Sequence, residues 1–204
     1  MIYIVRHGKT ELNRANVLQG RSNHPLNGDG VRQARETADS LAAIRFDYVF
    51  SSPLVRAVRT AEIIAPYATP VIDERLIEMD YGPYEGTDLG NLPPEILFFF
   101  RDFVHNPAPD GMEQLSSVVG RVGRFLEEIR HLKGNILICT HAIAMKGILE
   151  YLTPDSNGAY WSKYIGNCVV YMAENSDGRI GSPKEWQPLE QQRTGGLGNS
   201  CPAS

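Results

Sequence analysis

Short runs of β-branched and aliphatic residues alternate along this chain with longer stretches of helical periodicity. That alternation restricts its fold more than any other feature. Ile2–Val5, Tyr48–Phe50, Pro70–Ile72, Asn135–Cys139 and Cys168–Met172 read as strands, several of them apolar throughout, as strands buried on both faces must be. Between them lie segments with one apolar helical face. Asn27 is a good N-cap for a helix carrying Val31, Ala34, Ala38 and Leu41. Ser52-Pro53 reads as a cap with proline in the first turn, ahead of Ala57, Ala61 and Ile64. The clearest helix carries Leu115, Val118, Val122, Phe125, Leu126, Ile129 and Leu132. Another follows His141 and runs to about Leu152. Strands joined by helical crossovers predict an α/β fold: three layers, α/β/α, around a mainly parallel central sheet, with room for an edge strand of opposite direction.

A chain of 204 residues suits one domain, and 42% hydrophobic with 22% charged residues is the balance of a soluble globular protein. A formal net charge of -4 gives no nucleic-acid footprint. The three cysteines, Cys139, Cys168 and Cys201, have neither zinc nor disulfide-framework spacing and suit a reducing compartment. Met1–Val5 is too short for a signal-peptide core and no run approaches a membrane span, so the expected location is the cytoplasm, with no membrane partner. The domain is expected over residues 1–194, with 195–204 a glycine-rich, poorly ordered tail. Residues 81–111, broken by Gly82, Pro83, Pro93-Pro94, Pro107 and Pro109, read as an insertion over the sheet's edge holding one short helix around Glu95–Val104. Its Leu97-Phe98-Phe99-Phe100 run is apolar beyond one narrow face. Packing on the main body accounts for it; a substrate-facing wall or a homodimer contact are the alternatives.

The chemistry is concentrated just after the strands, where open α/β sheets bind ligands. Arg6-His7-Gly8 follows the first strand. Ser51-Ser52-Pro53 follows the second, with Arg56 and Arg59 in the next helical turns. A segment ending at Glu78 follows the third, and Thr140-His141 the fourth. Two histidines, two or three arginines and a carboxylate thus reach one edge. Arginine forks match phosphate oxygens, and cationic donors stabilise the charge of a transferring phosphoryl group. A neutral imidazole can attack phosphorus covalently, and a protonated carboxylic acid can supply the leaving oxygen's proton.

Those residues carry a resemblance. Val5-Arg6-His7-Gly8-Lys9-Thr10-Glu11-Leu12-Asn13, Gln19-Gly20, Pro25-Leu26-Asn27, Ser51-Ser52-Pro53-Leu54-Val55-Arg56-Ala57, Thr60-Ala61, Glu78, Gly82, Glu85-Gly86 and Thr140-His141 follow in the order seen in the histidine phosphatase superfamily, the phosphoglycerate mutase-like proteins. The resemblance spans roughly residues 2–170 and is closest to the small bacterial phosphatase branch. It implies a phosphoglycerate mutase-like fold and a metal-independent hydrolase of small phosphorylated metabolites, with no cofactor. By the resemblance His7 is the nucleophile, and Arg6, Arg56 and His141 complete the phosphate pocket. Asn13 adds a hydrogen bond, and Glu78 is first general acid and then base. Gln19 and Gly20 lie on the substrate-side loop, and the backbone at Ala142 approaches the phosphate.

Glu74 and Asp80 lie close to Glu78 in sequence and compete with it for that role. Arg59 reads as an ion-pair partner, and His24, His105 and His131 as surface residues. Lys9 replaces a common glutamate, and Ala142 a common glycine. A short insertion and the absence of tryptophan from Glu11-Leu12-Asn13 favour a phosphatase over a cofactor-dependent phosphoglycerate mutase. A non-catalytic phosphate-binding module is the remaining alternative.

Overall fold

The first strand, β1 (Ile2–Arg6), lies at the middle of a six-stranded sheet. The computed structural model of the chain describes residues 1–187. The strands are β2 (Tyr48–Ser51), β3 (Val71–Ile72), β4 (Ile136–Thr140), β5 (Val170–Ala173), a β6–β7 hairpin (Asn175–Ser176 and Arg179–Ile180) and β8 (Lys184–Glu185). The sheet order is β3-β2-β4-β1-β5-β8. The first four of that order run parallel, with Val5 opposite Cys139 and Arg6 opposite Thr140. β5 and β8 add an antiparallel margin.

The helices are α1 (Glu11–Arg14), α2 (Gly28–Ser40), α3 (Val55–Ile64), α4 (Pro94–Arg101), α5 (Leu115–Ile129), α6 (Ala142–Leu152) and α7 (Ala159–Ser162). Strand alternation divides the core into two faces. Ile2, Ile4, Ile136 and Ile138 pack with Phe125 and Leu126 of α5 and Met145 and Leu149 of α6. Tyr3, Val5, Leu137 and Cys139 pack with Leu41 beyond α2 and with Ala61 and Ile64 of α3. This is the expected three-layer α/β/α arrangement. Each fully buried aliphatic side chain contributes about 1.5–3 kcal/mol.

Local departures have identifiable causes. Asn27 caps α2 as expected, its Oδ1 accepting from the Gly30 N–H at 2.9 Å. Ser52 does not cap α3; the helix starts at Val55 and the Ser52 hydroxyl points to His141 instead. β5 starts at Val170 rather than Cys168, because Cys168 has φ 59°, outside the extended region. The 81–111 segment packs Ile96 and Phe99 against Val118 of α5, Ile143 of α6 and Trp161 of α7, not against an edge strand. Its apolar run divides: Phe99 is fully buried and Phe98 is 55% exposed. The expected tail over 195–204, with Cys201, lies outside the described residues.

Candidate active site

The parallel pairing of β1 with β4 places His7 beside His141: the His7 N–H donates to the Thr140 carbonyl at 2.9 Å, and the rings lie 5.1 Å apart. His7 Nδ1 sits 2.7 Å from the Gly8 carbonyl, which only accepts, so Nδ1 carries the proton. Arg56 Nε donates to His7 Nε2 at 3.3 Å, so the lone pair is on Nε2. Two independent contacts therefore assign the same neutral tautomer. Burial, followed by the Arg6 and Arg56 charges, holds the ring well below its ordinary pKa of 6.5. The Gly8 end of this anchor is held in turn by Thr60, whose Oγ1 accepts from the Gly8 N–H at 3.0 Å.

His141 is the N-cap of α6 and is fully buried. Its Nε2 lies 2.6 Å from Ser52 Oγ, which also accepts from the Leu54 N–H at 3.3 Å. Among the described residues the Ser52 hydroxyl proton has no other acceptor than His141 Nε2, which leaves Nδ1 as the protonated nitrogen. That Nδ1 is buried and without a hydrogen-bond partner among the described residues, a donor free for an anion. Burial, with Arg56 next, keeps this ring neutral as well.

Arg56 is fully buried at the start of α3. Its Nη1 and Nη2 donate to the carbonyls of Ser22, at 2.7 Å, and Gly20, at 2.5 Å. Burial lowers its pKa to about 10, which leaves it charged at neutral pH. Arg6 donates from Nη1 to the Ile165 carbonyl, and its buried Nε has no partner among the described residues.

Glu78 is 3% exposed. Its carboxyl oxygens take the N–H groups of Met79 at 2.9 Å, Ile143 at 3.1 Å and Ala144 at 3.0 Å, so it sits on the N-terminus of α6, directly after His141. Its two sequence rivals lie apart: Glu74 is exposed, and Asp80 pairs with Arg21 at 3.2 Å. Ala142 opens the same helix, and its N–H is not among those taken by Glu78.

Asn13 accepts on Oδ1 from the Thr10 N–H at 3.2 Å and from Asn167 Nδ2 at 3.3 Å, which leaves its own amide donors to point elsewhere. Gln19 Oε1 accepts from Thr10 Oγ1 at 2.7 Å, and its buried Nε2 has no partner among the described residues. The Gly20 loop is held from below by Glu85, which accepts from the N–H groups of Gly20, Arg21 and Ser22 at 3.0, 3.0 and 2.7 Å. A side chain on Gly20 would meet the Met79 carbonyl at 2.7 Å.

Arg59 pairs with Glu62 on the surface, Lys9 reaches Asp29 at 4.0 Å, and His24, His105 and His131 are exposed. Among the described residues no group of three or more His, Cys, Asp or Glu side chains is arranged to hold a metal ion. Sequence reading did not single out Asn167, whose Nδ2 donates to the His7 carbonyl at 3.0 Å and joins it to Asn13. Nor did it give Ser52 its part in orienting His141.

The constellation is a neutral imidazole, its Nε2 lone pair facing a guanidinium, with a second guanidinium, a second imidazole and a carboxyl on a helix N-terminus around it. Such a set can bind a phosphate dianion, attack it at phosphorus and exchange a proton with the departing oxygen.

A family model described as the histidine phosphatase superfamily (branch 1) matches residues 2–186. Phosphoserine phosphatase 1 of Hydrogenobacter thermophilus is 32% identical over 183 residues, covering 85% of this chain and 87% of its own. The crystal structure of phosphoglycerate mutase from Thermus thermophilus aligns with a TM-score of 0.70 at 30% identity, over 89% of this chain and 96% of that one. A mutant phosphoserine phosphatase from Entamoeba histolytica, in complex with phosphoserine, shares the fold with a TM-score of 0.79 at 23% identity, over 93% and 97% of the two chains. With motifs, topology and relatives in agreement, the chain belongs to the histidine phosphatase superfamily.

Proposed function

We propose that this protein hydrolyses phosphomonoesters of small metabolites through a phosphohistidine on His7, without a metal. The observation that carries the reading is the His7 tautomer: Nδ1–H on the Gly8 carbonyl and the Nε2 lone pair facing the Arg56 guanidinium. An incoming phosphate takes over the Arg56 and Arg6 donors and the free His141 Nδ1–H. His7 Nε2 then attacks phosphorus as the ester P–O bond breaks, and Glu78 gives its proton to the departing oxygen. In the second half Glu78 takes a proton from water, whose oxygen displaces the Nε2–P bond. Inorganic phosphate leaves and neutral His7 returns. Neither step needs an oxidant or any co-reactant other than water.

Relatives named as phosphoserine phosphatases support hydrolysis of this class of substrate. The mutase from Thermus thermophilus supports a second reading, in which the phosphoryl group returns to another hydroxyl of the substrate. Cys139 and Cys168 are free thiols, which supports a cytoplasmic setting. The test is phosphate release from a panel of phosphorylated metabolites in EDTA, run beside an isomerisation assay on 3-phosphoglycerate. Release that persists in EDTA supports the hydrolase. Isomerisation without release overturns it in favour of the mutase.

A further inference from the structure

Lys146 lies on α6, two residues beyond the Ala144 amide that holds Glu78, and is only 9% exposed. A lysine ammonium has three donors and is costly to bury unpaired. Among the described residues its hydrogen bond goes to the Trp161 carbonyl at 2.7 Å, and its Nζ lies 5.4 Å from the centre of the Phe103 ring. Burial lowers its pKa to about 8, so the group is still mostly charged at neutral pH.

Its side chain forms part of the wall of a cavity of about 490 Å³ between α4, α6 and α7, with Phe100, Arg101, Phe103, Trp161 and Tyr164. The charges around this cavity do not balance. Lys163 is paired with Glu185 at 2.9 Å, while Asp102, which touches the His105 imidazole at 2.8 Å, is the carboxylate on the cavity wall, one negative charge against Lys146 and Arg101. Lys146 and Arg101 have no carboxylate within ion-pair distance among the described residues. None of His7, Arg6, Arg56, Glu78 or His141 lines the cavity; it approaches the proposed catalytic centre through Tyr164, which lines it and interacts with Arg6. Tyr164 precedes Ile165, whose carbonyl accepts from Arg6, and Lys146 is within electrostatic reach of both Arg6 and Glu78.

We propose that this cavity seats the non-phosphate end of the substrate, and that Lys146, with Arg101 at the rim, binds a second anionic group there, a carboxylate on the same small phosphomonoester. The inference rests on the phosphatase reading of His7. Phe100, Phe103 and Trp161 give the carbon skeleton an apolar wall, and the burial of Lys146 strengthens an ion pair there beyond its value in bulk solvent. The volume, within the usual range for small-molecule sites, holds a short acid or a sugar-sized acid.

The experiment compares kcat/KM for 3-phosphoglycerate with that for glycerol 3-phosphate, which replaces the carboxylate by a hydroxymethyl group. The parent enzyme is expected to prefer the carboxylated ester. Lys146→Met should lower the ratio of the two values about tenfold or more, the scale of a lost charge-assisted hydrogen bond. Lys146→Arg should recover most of the ratio. Arg101→Gln, on an exposed residue whose exchange leaves the core intact, should lower it less. A parent without preference, or variants that lose both activities in parallel and keep the ratio, would overturn the inference while the phosphatase reading stands. A parent that releases phosphate from neither ester but from others of the metabolite panel would overturn the inference alone, and one that releases it from no ester of the panel would overturn both.

Discussion

Replacing Gly30 by alanine should cost activity from a position that touches no substrate. Gly30 is in the first turn of α2, and the Gly8–Lys9 backbone lies directly against it. A Cβ there would stand 2.1 Å from the Lys9 carbonyl oxygen and 2.7 Å from the Lys9 nitrogen. Ordinary contact begins at 3.4 Å, so the two backbones must part by about 1.3 Å. The loop cannot yield freely, since the Lys9 carbonyl accepts from the Asn27 N–H at 3.0 Å and the Lys9 N–H donates to Gln33 at 3.0 Å. Moving Gly8 moves the carbonyl that holds His7 Nδ1. A misplacement of about 1 Å in a reacting group costs on the order of 100-fold in rate. Overpacking costs about 1–3 kcal/mol, against about 1 kcal/mol gained from helix propensity. The net loss, about 0–2 kcal/mol, lowers Tm by about 2–4 °C per kcal/mol in a chain of this size. Gly28→Ala is the control, since a Cβ there meets nothing within 4 Å. It should keep full turnover and gain a few tenths of a kcal/mol to about 1 kcal/mol. Steady-state kinetics and thermal melts decide between them. If Gly30→Ala turned over within about threefold of Gly28→Ala at equal Tm, the argument that this backbone contact positions His7 would be refuted.

Glu78→Gln should lower kcat/KM, which reports the leaving-group step and not the later attack of water, by about 100-fold or more for alkyl phosphates and much less for p-nitrophenyl phosphate, because nitrophenolate departs without a proton. Equal losses on both substrates would remove Glu78 from the role of acid. Stability should depend on acidity through the two buried histidines. Burial, with the neighbouring guanidinium groups, keeps His7 and His141 well below 6.5 in the folded chain, so below that pH the unfolded chain binds protons that the folded one does not. Stability is therefore complete above 6.5 and falls as pH drops, by up to about 1.4 kcal/mol per pH unit for each histidine until the folded values are reached. Urea midpoints at about pH 5 and pH 7 measure this, and coincident midpoints would contradict it.

What the sequence made legible is what lies close along the chain. The strand that ends in Arg6-His7, the strand that ends in Thr140-His141, and the Asn27 cap each declare themselves within a few residues. The parallel direction of the strands follows from the crossover pattern, whereas the pairing of β1 with β4, which brings the two histidines together, joins segments more than 130 residues apart and was not readable. The supporting contacts were not readable, because their partners are distant. Ser52 meets His141 across 89 residues, Glu85 holds Ser22 across 63, and Asn167 reaches the His7 carbonyl across 160. Ser52 even carries a misleading local signal, since a serine before proline reads as a helix cap, and here the hydroxyl satisfies the buried imidazole instead. Cys168 continues an apolar run yet adopts φ 59°, a backbone state that its side chain does not advertise. The β6–β7 hairpin was available to sequence reading: Asp177-Gly178, at φ 51° and 73°, is the turn pair that such hairpins favour.

The central claim is a covalent bond between His7 Nε2 and phosphorus. The direct measurement mixes the enzyme with a phosphomonoester radiolabelled in its phosphate, quenches in alkali during turnover, and maps the protein-bound label. The account predicts a label that survives alkali, is lost in acid, and resides on the peptide that contains His7, with none retained by His7→Ala. Label on another residue, or near-normal turnover by His7→Ala, would contradict it.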